Sequence, residues 1–360
     1  MKHLVTSYKM EHVVLTGGIG YIGSHTVLAL IENNYKVSIL DINCNCDITK
    51  EIKDNLLKLI PINKKDDIKF YNVDITDEVD LDDLFSCIAR FDTCIHFAAL
   101  KNVEESIRMP LEYYMNNVSG LITLLSCCKR YQCHNFIFSS SCTIYGNNET
   151  MPCIEKNINE IDIRTLTNPY AVSKYMCEKI LDDYCKSDSK FKCICLRYFN
   201  PIGAHSSGLL GDNPIGNRPS NIIPTILNVM SNKQDKLEIY GMDYDTKDGT
   251  CARDYVHVVD VANAHVKSIK QLKTLSHGCA HVYNIGTGKS TTILELIGIM
   301  TNVTKKTIPS IFMSRRDGDV SEAYANTSKS FKELGFFTKY NMEDMCKDAY
   351  NFIFQKYNKK

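Results

Sequence analysis

Tyr170 and Lys174 stand four residues apart in Asn168-Pro169-Tyr170-Ala171-Val172-Ser173-Lys174. The residues that follow, Tyr175 to Leu181, read as helix, so the two side chains share one face. An ammonium beside a phenol stabilises the phenolate and lowers its pKa from about 10. A phenol tuned toward neutrality can take a proton from an alcohol. That is half of the oxidation of a secondary alcohol; the other half is a hydride acceptor. The pair alone fits an ordinary exposed contact, so the residues upstream decide.

The elements upstream provide for such an acceptor. Residues 11–16 read as a short buried strand, and Gly17-Gly18-Ile19-Gly20-Tyr21-Ile22-Gly23 follows directly. Residues 24–32 read as helix and 36–41 as the next strand, which completes a βαβ unit. Gly17, Gly20 and Gly23 form GxxGxxG. The first glycine makes the turn, the second admits a pyrophosphate, and the third lets helix and strand pack closely. Free N–H groups at the helix start face the phosphates. Asp41 ends the second strand, where an acid accepts ribose hydroxyls and repels a 2′-phosphate, so NAD is expected over NADP. Asp74, after the strand 68–73, is a candidate for the adenine amine, or else caps the turn before Thr76-Asp77. The segment from His96 to Lys101 brings small residues to the pyrophosphate and ribose.

Further alternation supports a doubly wound parallel sheet of the Rossmann type. Strands are expected at 93–97, 135–139 and 192–199, and helices at 81–89, 111–131 and 174–186. Past Asn200-Pro201 the texture becomes irregular. We expect residues 1–200 to form the NAD-binding domain with the catalytic residues. Residues 201–360 are expected to form a smaller, mixed α/β substrate-binding domain, with some interleaving. The segment 43–67 reads as a Lys- and Asn-rich wrap around the sheet edge, without chemistry.

The chain has 360 residues, with Lys+Arg and Asp+Glu both at 42, so it offers no global basic field for nucleic acid. No apolar run is long enough to span a bilayer, and the start does not read as a signal peptide. We expect a cytoplasmic protein with no membrane partner. The 16 cysteines are scattered without metal-ligand spacing and read as free thiols, with no metal site. Cys193 and Cys195 fall in an alternating strand as small hydrophobes.

At this point the residues resemble a family. The glycine loop is continued by Ser24-His25-Thr26, and then come His96-Phe97-Ala98-Ala99-Leu100-Lys101 and Pro110 to Val118. Phe138 to Gly146, Leu196 to His205, Asp248 to His257 and Arg315-Arg316-Asp317-Gly318-Asp319 follow. In this order they resemble the extended short-chain dehydrogenase/reductases, and within them the UDP-glucose 4-epimerase family. The resemblance implies that Tyr170 is the base, Lys174 its electrostatic partner, and Ser141 the holder of the sugar O4, with Thr143 close by. It implies an NAD site of Gly17, Gly20, Tyr21, Ile22, Gly23, Asp41, Asn43, Asp74, Ile75, Phe97, Ala98, Ala99, Lys101, Asn116, Ser139, Tyr170, Lys174 and Tyr198. For the UDP-sugar it implies Ser141, Tyr170, Phe199, Asn200, Asn221, Ile222, Tyr240, Arg253, Tyr255, Arg316, Asp319 and Ala323. Arg253 and Arg316 would clamp the diphosphate, Asp319 the uridine ribose, and Tyr240 would lie against uracil. A homodimer built on the helices 111–131 and 170–186 is implied as well.

The sequence departs from the family at several positions. Ile42 and Cys46 replace polar residues after Asp41, which would weaken adenosine-ribose binding. Glu104 and Ser290 stand where glycines are common, and the loop 147–168 is longer than usual. Ala323 occupies a position where a small residue admits N-acetylhexosamines. A 4,6-dehydratase or decarboxylase of the same fold is the nearest rival, but Cys142-Thr143-Ile144 lacks the acids a dehydratase carries. A NAD-sensing regulator commonly loses the Tyr or Lys that this chain keeps. A plain alcohol dehydrogenase would release NADH.

Overall fold

The structure, a computed structural model, describes residues 10–42, 47–88, 90–147, 150–212, 221–275, 278–316 and 319–357. The first half runs β1 (His12–Thr16), α1 (Tyr21–Glu32), β2 (Lys36–Asp41), α2 (Asp47–Leu59), β3 (Ile68–Asn72), α3 (Glu78–Ile88) and β4 (Thr93–His96). It continues with α4 (Val103–Arg108), α5 (Pro110–Tyr114), a π-helical turn (Met115–Ser119), α6 (Gly120–Arg130), β5 (Asn135–Ser141), α7 (Pro169–Ser187) and β6 (Lys192–Tyr198). Then come β7 (Asn200–Ile202), α8 (Ile222–Met230), β8 (Leu237–Tyr240), β9 (Ala252–Arg253), β10 (Tyr255–His257), α9 (Val258–Leu272) and β11 (Ala280–Ile285). The chain closes with β12 (Thr291–Thr292), α10 (Ile293–Thr304), β13 (Ser310–Met313), β14 (Glu322–Ala323), α11 (Ser328–Leu334) and α12 (Met342–Tyr357).

Seven strands form one parallel sheet in the order β11-β6-β5-β4-β1-β2-β3. The strand order reverses beside β1, where such folds open a crevice at the carboxyl edge. Alternation along each strand feeds two cores. Val13 and Leu15 face one, and Val14 the other. Ile194 and Leu196 likewise face the first, while Cys193 and Cys195 fill the second as small apolar groups. A third core lies among α8, α10 and α12. The 14 described cysteines are all free thiols. Among the described residues no helix is long and apolar enough to cross a membrane, and no group of three or more His, Cys, Asp or Glu is arranged to hold a metal ion.

Local structure differs from expectation in two places. The described part of 43–67 is not a bare wrap: α2 crosses from β2 to β3, and its Asn55 side chain donates to Leu209 O at 3.1 Å. The run expected as one helix over 111–131 is broken by the π turn at 115–119. Pro110 opens α5 because its missing N–H costs nothing at a first turn. The π turn then swings Asn117 inward, 1% exposed, beneath the loop after β4.

Candidate active site

Helix α7 starts where its caps dictate. The Asn168 side chain accepts from Ala171 N at 2.9 Å, and Pro169 fills the first position. One turn in, Tyr170 brings its phenol beside Ser141 at the end of β5, whose hydroxyl favours the phenolate. Thr143 donates to Ser141 Oγ twice, from Oγ1 at 3.0 Å and from its backbone N at 3.2 Å. Lys174 is 3% exposed and donates from Nζ to Ser139 O at 2.7 Å. The sequence-based expectation that Lys174 lowers the Tyr170 pKa is not met here. Burial pushes the phenol up to about 12, and the nearby Ser141 hydroxyl opposes it only in part. The lysine itself is pulled down to about 8 by burial. Its Nζ lies 5.9 Å from the Tyr170 ring centroid and gives one N–H to Ser139 O.

The glycine loop is tight in a way that only glycine allows. Gly17 has φ +69°, and a Cβ there would stand 2.6 Å from Ala98 N. A Cβ on Gly23 would stand 2.3 Å from Gly17 O. Gly20 caps α1 with no side-chain hydrogen bond and no acid in the first turn. This bare helix start suits a pyrophosphate, so the residues present fit a dinucleotide. Asp41 Oδ2 accepts from Ile19 N at 2.9 Å, which ties the acid to the loop. Burial raises its carboxyl from 3.8 to about 6. The Tyr21 hydroxyl donates to Gly203 O at 2.7 Å, and Ile22 packs against the first core.

The other expected cofactor residues lie along the same edge. Ala98 N reaches Thr16 Oγ1 at 3.3 Å, Ala99 is half-buried, and Lys101 is exposed. Asp74 caps its own turn through Thr76 N and Thr76 Oγ1, at 2.8 and 2.7 Å. Ile75 packs onto Gly120. Asn116 donates to Asn117 at 2.9 Å, and it is Asn117 that clamps the loop. Asn117 accepts from Leu100 N and donates to Leu100 O and Ser173 Oγ, at 2.8, 3.0 and 3.0 Å. The expected Asn43, with Cys46, lies outside the described residues, as do Asp317 and Gly318. Tyr198 donates to His265 Nε2 at 2.6 Å, because His265 Nδ1 is taken by Val261 O at 2.8 Å. The His265 ring also meets Phe97, centroids 4.7 Å apart. Burial holds His265 neutral at about 4.

The second half brings a separate set of groups together. Arg253 on β9 donates to Ala252 O and Val320 O, both at 2.9 Å, and lies 3.5 Å from the Asp319 carboxylate. Ala323 on β14 sits opposite Arg253 in parallel register. The Arg316 guanidinium covers the Tyr240 ring at 3.7 Å, and Tyr240 donates to Glu238. Asn200 Nδ2 donates to Asp254 O at 2.9 Å. Asn221 stands at the N-cap of α8 and lines a small cleft with Tyr21, Gly203 and Phe352. Ile222 and Tyr255 belong to the third core, where the Tyr255 hydroxyl finds no partner. Phe199 packs in a small cluster with Tyr145, Cys153 and Ala325.

Sequence reasoning gave no role to Asn117, His265 or Asp254. Asp254 is buried and accepts from Thr287 N, Thr287 Oγ1, Gly288 N and Ala325 N at 2.6–3.1 Å. It therefore fixes the loops on both sides of Arg253. Its place beside Arg253 and that of Asn117 beside Asn116 were the available signals; nothing local marked His265.

Comparison with known proteins agrees with this arrangement. Residues 13–286 match the NAD dependent epimerase/dehydratase family. UDP-glucose 4-epimerase 2 of Arabidopsis thaliana is 41% identical over 341 residues, 95% of this chain and 94% of that protein. The crystal structure of UDP-glucose-4-epimerase from Stenotrophomonas maltophila, with bound NAD and formylated UDP-arabinopyranose, superposes with a TM-score of 0.89 at 35% identity. The alignment covers 98% of this chain and all of that one. The Bifidobacterium longum UDP-glucose 4-epimerase in complex with NAD+ and UDP gives 0.86 at 37% identity, over 96% and 99%. The chain belongs to the NAD dependent epimerase/dehydratase family, among the UDP-glucose 4-epimerases.

Proposed function

We propose that this protein is an NAD-dependent enzyme that inverts C4 of UDP-hexoses, interconverting UDP-galactose and UDP-glucose in galactose metabolism. The observation that carries the reading is the grouping of Thr143, Ser141 and Tyr170 at the carboxyl edge of the sheet, with Thr143 bonded to Ser141 and Lys174 one turn below. Bound at the glycine loop, NAD supplies a hydride acceptor and then donor at C4, and a positive charge beside the phenol. Tyr170 takes the O4 proton, Ser141 holds O4 through its hydroxyl, and Thr143 fixes Ser141. The proton returns from Tyr170 after the 4-keto sugar has turned over. Lys174 keeps two N–H groups for a ribose, since an ammonium has three and Ser139 O takes one.

Arg253, Arg316, Asn200 and Asn221 hold the diphosphate in this reading, and Asp319, Tyr240, Ile222, Tyr255 and Phe199 frame the uridine and sugar. A strong nucleotide tether with a loose sugar subsite lets the keto sugar turn. Bidentate guanidinium–phosphate pairing suits such a tether. UDP-galactose should convert to UDP-glucose without accumulation of NADH. Net NADH release with no epimer would overturn the reading. The small Ala323 leads us to add UDP-GalNAc and UDP-GlcNAc as substrates. Ala323→Tyr should lower the UDP-GalNAc rate relative to the UDP-galactose rate; an unchanged ratio removes that extension. We further place the enzyme in a reducing cytoplasm, in keeping with its free thiols, as a homodimer.

A further inference from the structure

Glu178 continues the face that Tyr170 and Lys174 begin, at a further step of four along α7. The three serines that end β5 hook this face in turn. Ser141 lies beside the Tyr170 phenol, Ser139 O accepts from Lys174, and Ser140 Oγ donates to Glu178. Glu178 is also gripped by Arg197 on β6, from Nε at 3.0 Å and from a terminal nitrogen at 2.7 Å. The two side chains are 1% and 0% exposed. Arg197 stands opposite Ser140 in the sheet register and directly precedes Tyr198 and Phe199. Its second terminal nitrogen reaches Lys156 O at 3.0 Å and Tyr145 OH at 3.2 Å. Tyr145 then donates to Asn284 at 2.6 Å and packs on Phe199.

A fully buried ion pair is poor value for stability, since apolar residues of like volume commonly do as well. Its location suggests another use. The groups acting on Lys174 come from four elements. Tyr170, Cys177 and Glu178 lie on α7, His96 on β4, Phe138 on β5 and Cys195 on β6. Burial pushes the Cys177 thiol up to about 12 and raises Cys195, and it holds His96 neutral at about 3. Glu178 is left as the anion among them. Glu178, and not Arg197, is among the charges that raise Lys174, while Arg197 pairs with the Glu178 carboxylate.

We propose that Glu178, held by Arg197 and Ser140, is a positioning residue that sets the Tyr170–Lys174 face against β5 and keeps Lys174 an ammonium in its buried site. This rests on the epimerase reading above. Lys174 needs its charge for the phenol, and burial brings it to about 8, so activity should fall on the alkaline side near that pH.

The test is the pH profile of kcat/KM for UDP-galactose, with NAD saturating. Wild type reports on the function itself: no epimerisation at any pH would overturn the epimerase reading rather than this one. In Glu178→Gln the alkaline limb should move down by about one pH unit or more, because Arg197 then stands uncompensated. That variant strands a buried charge and is apt to unfold. Glu178→Gln with Arg197→Met buries no unpaired charge and should fold, with the limb moved in the same direction by less. A residue that serves only packing would lower kcat and leave the limb in place. A folded variant whose alkaline limb coincides with wild type overturns the proposal.

Discussion

At the scale of single residues, burial decides the charge states more than neighbours do. Tyr170 was legible from its spacing to Lys174, but its environment was not, because desolvation depends on residues distant in sequence. Ser141 and Lys174 give Tyr170 a place and an electrostatic setting, and general-base catalysis is worth about 10²–10⁴-fold. Tyr170→Phe should therefore lose ~10²-fold or more in kcat for UDP-galactose; near-normal turnover would deny the phenol its role. Asp41 offers a test that needs no substrate. Its carboxyl is raised from 3.8 to about 6, so the folded chain holds the proton more tightly than the unfolded one. The stability that proton contributes is present below about pH 4 and is lost as pH rises through 6. Asp41→Asn keeps an acceptor for Ile19 N and removes the buried charge. In protein stripped of NAD it should raise thermal stability at pH 8, by about 3 kcal/mol at most, and change it little at pH 4. Equal Tm changes at both pH values would refute the assignment. NAD affinity should fall in the same variant, since the ribose hydroxyls lose a charged acceptor.

At the scale of elements, the parallel strands and α1 were legible because their patterns are local. Runs such as Val13-Val14-Leu15 are apolar on both faces, as a sheet covered on both sides requires. The π turn was not legible: nothing in Met115-Asn116-Asn117 separates it from continuous helix, and it is fixed by what Asn117 bonds in the loop after β4. That turn puts Asn117, rather than Asn116, beneath Leu100 and beside Ser173. The bond to Ser173, between Tyr170 and Lys174, ties the loop after β4 to α7. Asn117→Ala would orphan both polar groups of Leu100 and remove the donor to Ser173 Oγ, which keeps its own bond to Tyr170 O. The expected cost is about 2–3 kcal/mol, read as a lower denaturation midpoint with unchanged m-value. Turnover should fall too, because α7 loses a tie to the loop that carries Ala98. A midpoint within error of wild type would show that water replaces these bonds without loss.

At the scale of the whole molecule, the two sets of site residues are joined through the packed ends of β6 and β7. Asn200 bonds Asp254 O, Asp254 fixes Ala325 N, and Ala325 packs with Tyr145 and Phe199. Sequence patterning could separate the regular half from the irregular one. It could not show that α9 and β11, far along the chain, pack on α1 and β6, since those contacts are set by tertiary structure. Among the described residues, a face of α5, the π turn and α6 is exposed and apolar. Leu111, Met115 and Ile122 are 74%, 61% and 48% exposed, and Met176 on the adjacent α7 is 39% exposed. These residues lie along α5, the π turn and α6, whereas isolated exposed apolar groups are ordinary. Pairing this face with its own copy would make an isologous interface of two helices from each protomer, and stable interfaces of that type bury about 1,200–2,000 Å². Leu111→Glu with Met115→Glu places four like charges across such an interface and none in the core. The fold should survive, because both positions are solvent-exposed in the single chain. Light scattering should then report a monomer where wild type gives a dimer. A double variant that stays dimeric at low micromolar concentration would move the interface elsewhere, and a monomeric wild type would remove it.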